Sequence, residues 1–173
     1  MVDKRKFKDI NVSLLGLGTM RLPCETEQKR ESNRNIDYDK AQSLVDLAYK
    51  NGVNYFDTAY MYHCGKSEAF IGYALNKYPR DTYFIADKLP IWLCDTKEDM
   101  KRVFEKQLER TGMDYFDFYL LHSLDNENFE KCEKFYAYDF LKKMQKEGKI
   151  KYIGFSFHGT VDDLRNIVSA HKW

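Results

Sequence analysis

Four short runs rich in β-branched and aromatic residues start 30, 32 and 35 residues apart: VNYFDTA from 53, YFIADKL from 83, YFDFYLLH from 115 and IKYIGFSF from 150. That interval is the length of one strand–helix unit, and repeated units of this kind build a parallel sheet with right-handed crossovers. A fifth run, VSLLGLGTM, precedes them from residue 12. The stretches between have helical periodicity and recognisable ends. Ala41, Leu44, Val45 and Ala48 form an i, i+3, i+4, i+7 stripe, with Asp37 or Asp39 as N-cap and Gly52 just beyond. Thr96 with Asp99 and Thr160 with Asp163 read as capping-box starts. Met100, Val103, Phe104 and Leu108 follow the first and end at Gly112; Leu164, Ile167 and Val168 follow the second. Phe140, Leu141 and Met144 before Gly148 predict another helix, and the lysines of LKKMQKEGKIK its solvated face.

Two architectures use such units, the open doubly wound sheet and the (β/α)8 barrel. The first marks its opening strand–helix turn with GxGxxG for a pyrophosphate. Here the turn reads GLGTMRLP, with Gly16 and Gly18 but no third glycine, which favours the TIM-type barrel. At 173 residues the chain suits one domain that buries roughly 70% of its unfolded surface, and no Gly/Ser linker divides it. Residues 24 to 37, CETEQKRESNRNID, are predicted to be a long polar loop on the rim. Charges balance to +1, so nothing advertises nucleic acid or an anionic membrane, and no run of about 20 apolar residues spans a bilayer. The four cysteines form no CxxC pair, so no metal or redox-dithiol site is expected. MVDKRKFKDI lacks the apolar core of a signal peptide, and the thiols therefore read as reduced and cytoplasmic.

The strand ends carry the chemistry. Asp57 closes the second run, with Tyr62 shortly after; Lys88 closes the third, His122 the fourth, and Ser156 and His158 the fifth. In a parallel barrel the C-terminal strand ends share one rim, where such enzymes keep their active sites. A tyrosine titrates near pH 10 and is a poor acid at neutrality. A neighbouring ammonium lowers that pKa by stabilising the phenolate, and a buried carboxylate keeps the ammonium charged. Tyr62 beside Lys88, itself paired with Asp57, would form that relay. A neutral His122 could hydrogen-bond the carbonyl oxygen that Tyr62 protonates. None of the four is a good covalent nucleophile and no metal-ligand spacing occurs, so the attacking species is expected to be a hydride from a bound cofactor. Singly, each has a bland reading: Asp57 a helix cap, Lys88 a loop cation, His122 a structural histidine, Tyr62 one of 13 tyrosines. Four required types at four strand ends are another matter. Trp92 could line a substrate pocket with His122 or simply pack the rim. His63 and Cys64 read as loop neighbours of the site, and His171 as solvated.

LGLGTMRLP, FDTAYMYHCGKSE, DKLPIW, DYFDFYLLH and IKYIGFSFHG together resemble the sequence blocks of the N-terminal part of an aldo-keto reductase. YHCGKSE and KLPIW look most like a bacterial branch that often carries a C-terminal iron–sulfur segment, which has no counterpart here. The resemblance implies a (β/α)8 barrel that reduces aldehydes or ketones with a nicotinamide cofactor, usually NADPH, with NADH as the alternative. It implies a catalytic tetrad of Asp57, Tyr62, Lys88 and His122. It places Gly18, Thr19, Met20, Arg21 and Asp57 on the nicotinamide side of the cofactor and gives Ser156 the nicotinamide carboxamide. The position after Ser156, commonly Asn in the family, is Phe157, and His158 is a candidate substitute. No metal or iron–sulfur cluster is expected in this chain.

About five of eight barrel strands can be counted, and the rest of the family's cofactor site is expected beyond Trp173. The expected form is therefore a barrel truncated to about its first five units, binding NADPH weakly by itself. The alternatives are a catalytically incomplete fragment, an interaction subunit without turnover and, more remotely, a phosphate-sugar lyase using Lys88 as a Schiff-base amine. The open inner face predicts association, either a homo-oligomer or pairing with a missing C-terminal half. Leu14, Leu15, Phe56, Ile85, Leu120 and Ile153 are the expected contributors of apolar surface.

Overall fold

The computed structural model describes residues 1–25 and 35–173. Two strands form an N-terminal hairpin and five form a second sheet, with the strands of each sheet in sequence order. The five are β3 (Leu17–Gly18), β4 (Tyr55–Asp57), β5 (Phe84–Leu89), β6 (Phe116–Leu124) and β7 (Ile150–Phe157). Each strand is followed by at least one helix: α1 (Tyr38–Lys50), α2 (Lys66–Leu75), α3 (Lys97–Thr111), α4 (Asn126–Phe135) with α5 (Ala137–Lys146), and α6 (Val161–Ala170). The pairings β3–β4, β4–β5 and β6–β7 are all parallel, as the spacing of the runs requires. The fold is α/β, with the strand–helix alternation of the TIM-type barrel.

The chain forms two compact units. One is residues 1–86 with 109–113, and the other is 87–108 with 114–173. In the first, β1 (Lys4–Phe7) and β2 (Ile10–Ser13) form an antiparallel hairpin. This corrects the reading of one strand from residue 12: Val12 and Ser13 belong to the hairpin, Leu14 and Leu15 are exposed, and only Leu17 and Gly18 join the parallel sheet. Asn54 fastens the hairpin. Its side chain accepts from Ser13 N (2.8 Å) and donates to Asn11 O (2.9 Å), while its backbone N–H donates to Ser13 Oγ (3.0 Å).

Asp37 caps α1 by accepting from Lys40 N, and Gly52 takes a φ of +94° just past its end. Ala41 and Val45 are buried, but Leu44 is exposed, so the apolar stripe is narrower than its spacing predicts. Phe56 and Ile85 are wholly buried, which removes both from the expected apolar surface. Leu120 and Ile153 are half-buried. Of the polar loop, the stems are paired: Glu25 N donates to Asn35 O (3.2 Å) and Asp37 N to Pro23 O (2.9 Å). Its residues 26–34 lie outside those described.

The second unit is organised around β6, where Phe116, Tyr119 and Leu121 are buried and Phe104 of α3 packs edge-on against the first two. Thr160 and Asp163 form the expected capping box of α6, although Val168 is exposed and only Ile167 is buried there. His171 is not solvated. It stacks on Tyr138 at 4.0 Å and pairs with Glu133 at 2.6 Å, and Trp173 packs edge-on against it.

Candidate active site

The first unit holds Asp57, Tyr62 and the Gly18–Arg21 segment. Asp57 is the last residue of β4. Its carbonyl accepts from both Thr19 N and Thr19 Oγ1, each at 2.9 Å, which ties the segment to the strand end. Thr19 is buried, and Ser67 Oγ donates to its hydroxyl at 2.6 Å; Thr58 Oγ1 lies 3.0 Å from the same Ser67. Gly18, Met20 and Arg21 are exposed.

Tyr62 opens a short 3-10 turn in which His63 and Cys64 take positive φ (48° and 56°), followed by Gly65 at 83°. Three successive left-handed residues are costly for side chains other than glycine, so the turn must be held from outside. Arg110, near the end of α3, does part of this. Its Nη1 donates to Glu68 Oε2 at 2.8 Å and to Tyr60 O at 3.4 Å. The guanidinium lies 4.4 Å over the Tyr60 ring and fills the space beside Gly65, where a Cβ would meet it at 3.0 Å. His63 adds a second hold: its Nε2 accepts from Leu22 N at 3.1 Å, and Nδ1 lies 3.9 Å from Cys24 Sγ. His63 is therefore a fastening and not merely a loop neighbour.

The second unit holds Lys88, Trp92, His122, Ser156 and His158. Lys88, next to last in β5, is 4% exposed. Its backbone is fixed by a buried network. Asp87 Oδ1 accepts from Lys88 N (2.8 Å) and from Gln107 Nε2 (2.7 Å), and Gln107 Oε1 in turn accepts from the Tyr119 hydroxyl. His122 lies in the C-terminal part of β6, half-buried, with the Trp92 ring 5.0 Å away. Burial first, then the charge of Lys88 and then His158, pushes its pKa down to about 4, so the ring is neutral at pH 7.

Ser156 Oγ accepts from Ser123 N at 2.6 Å, where β6 is irregular and Ser123 takes a φ of 57°. Asn128 braces Ser123 by donating to its carbonyl (3.0 Å). Sequence reading missed Asp87, Gln107, Ser123 and Asn128. Only Asp87 carried a signal, a second charged residue beside Lys88 in a buried strand. His158 is exposed, with its backbone N–H donating to Leu124 O at 2.8 Å.

The aldo/keto reductase family model matches residues 14–173. The chain belongs to the aldo/keto reductase family. A Gibberella moniliformis aldo-keto reductase is 32% identical over 163 residues, which are 90% of this chain and 46% of the relative. The NADH-specific methylglyoxal reductase of Escherichia coli is 28% identical, over 84% of this chain and 48% of that relative. Among solved structures, an aldo-keto reductase from Klebsiella pneumoniae in complex with NADPH is 25% identical, with a TM-score of 0.72, and covers 99% of this chain and 55% of its own. The chain thus spans about half the length of the curated relatives it matches. No helix among the described residues is long and apolar enough to cross a membrane.

Proposed function

We propose that this chain serves an oxidoreductase that reduces an aldehyde or ketone with hydride from NADPH or NADH. The supporting observation is a buried Lys88 whose charge acts on a neutral, half-buried His122, both in the C-terminal parts of their strands, within a member of this family. A core has no packing use for two such groups, whereas carbonyl reduction in this reading uses both. In this reading Tyr62 protonates the carbonyl oxygen as negative charge develops on it. Lys88 stabilises the resulting phenolate, Asp57 keeps Lys88 charged, and neutral His122 donates a hydrogen bond that orients the carbonyl. Trp92, beside His122, lines the substrate side.

The polar groups present suit a nicotinamide. Ser156 receives the Ser123 N–H on its oxygen and so keeps its own proton to donate to a carboxamide. Gly18, Met20 and Arg21 are open to a cofactor, with Thr19 and Asp57 beneath them. The bound cofactor would supply the hydride.

A second reading follows from the chain's matching about half of each relative: an interaction subunit without turnover, associating as a homo-oligomer or with a complementary barrel segment. The test is NADPH and NADH consumption by the purified protein with a panel of carbonyls headed by methylglyoxal, after the relative that bears its name. Carbonyl-dependent consumption supports the first reading. A folded protein inert toward the whole panel with both cofactors defeats it in favour of the second.

A further inference from the structure

Two of the bonds that hold the Thr19–Cys24 segment tie it to the neighbouring strand end and turn, one from Thr19 to Asp57 O and one from Leu22 N to His63 Nε2. The second has a chemical condition attached. A backbone N–H can only donate, so His63 Nε2 must present its lone pair to Leu22, and the neutral ring carries its proton on Nδ1. That N–H faces Cys24 Sγ, which is engaged with Leu22 O at 3.4 Å. Protonation would put an N–H on Nε2 as well, setting donor against donor, and the contact to Leu22 would be lost.

We propose that His63 is a positioning residue whose neutral ring locks Leu22 of the Thr19–Cys24 segment to the Tyr62 turn, and whose protonation releases that one hold. The functional consequence rests on the oxidoreductase reading, because that segment carries Thr19, Met20 and Arg21 and the turn carries Tyr62. The ionisable groups facing the ring are Cys24 from the segment and Lys66 from α2. Burial and then the Lys66 charge oppose protonation, while the Thr19 backbone favours it more weakly. Lys66 is itself anchored, donating to Asn35 Oδ1 at 2.7 Å, so the outgoing stem of the same loop is tied beside the turn too. The sign follows. The lock is complete well above the histidine's ordinary pKa of about 6.5 and is lost as pH falls through the lower pKa of the folded state.

The experiment is side-chain and amide NMR on the intact protein. At pH 7.5 the expected result is an unprotonated Nε2 on His63. The Leu22 amide should shift on acidification with the midpoint of the His63 ring. Amide exchange at Leu22 should accelerate at least ten-fold in His63→Ala. His63→Gln, whose Oε1 can accept but not titrate, should keep Leu22 protected and abolish the pH dependence, an outcome that simple packing would not produce. An Nε2–H tautomer in the wild type, or a Leu22 amide indifferent to His63 titration, overturns the inference. Because the wild-type titration needs neither variant nor turnover, a protein that shows the coupling but reduces no carbonyl refutes the oxidoreductase reading and leaves the lock standing.

Discussion

Replacing Arg110 with Met should both destabilise the protein and loosen the turn that carries Tyr62. The guanidinium is a quarter exposed, but its partner Glu68 has no exposed surface, and the pair is 2.8 Å apart. Breaking a buried pair by removing one member costs about 3–5 kcal/mol, and partial exposure of Arg110 favours the lower end. Losing the cation over the Tyr60 ring adds about 0.5–1 kcal/mol, for a total of about 4 kcal/mol. In a domain of this size that corresponds to a drop of roughly 10 °C in Tm. Urea and thermal unfolding of the wild type, Arg110→Met, Glu68→Gln and the double variant measure it. The double variant removes the stranded carboxylate charge and should recover at least half of the loss, giving a coupling of about 2 kcal/mol. A cost below about 1 kcal/mol for Arg110→Met, or additive single effects, would refute the electrostatic account of how this turn is held.

Gly72→Ala should be severe, because its Cβ would land on the Thr111 carbonyl oxygen and within 2.9 Å of Thr111 Cα, backbone that cannot yield; overpacking of about 3 kcal/mol is expected, read as a lowered urea midpoint. Acidification should weaken the fold through His122. The unfolded ring takes up a proton near pH 6.5 and the folded one only near pH 4, so stability falls as pH drops between them. The full shift is worth about 3 kcal/mol, or about 2 after discounting for the exposed part of the ring, and a pH series on His122→Gln should lack that slope. In the association reading, light scattering at micromolar concentration should show a species larger than one chain; a well-dispersed monomer that binds no hydrophobic dye would exclude it.

The parallel sheet was legible because strand runs recur at one strand–helix interval and each β-rich run stands out from its polar surroundings. The hairpin was not. Lys4–Phe7 is exposed along its whole length, so it has no apolar face to alternate, and the Lys8-Asp9 turn lacks the glycine or asparagine that marks tight hairpins. Instead, Leu14 and Leu15 drew the strand reading toward residues that the structure leaves exposed. At the site, residue types at strand ends could be read directly, since Asp57, Lys88 and His122 interrupt apolar runs. Their supports could not. Gln107 meets Asp87 across 20 residues and Arg110 meets Glu68 across 42, and no local pattern encodes partners at that range. His63 was dismissed because its role depends on a backbone N–H 41 residues away, a donor that every non-proline residue carries.

In the proposed reaction hydride reaches a carbonyl carbon while Tyr62 supplies the proton. Its most direct test is to run the purified protein with NADPH deuterated at the transferring C4 position and methylglyoxal or another aldehyde, and to examine the alcohol by NMR. Deuterium is expected on the carbinol carbon with the wild type, and product should be lost with a folded Tyr62→Phe that still binds cofactor. Product without deuterium at that carbon, or turnover by Tyr62→Phe equal to the wild type, would contradict it.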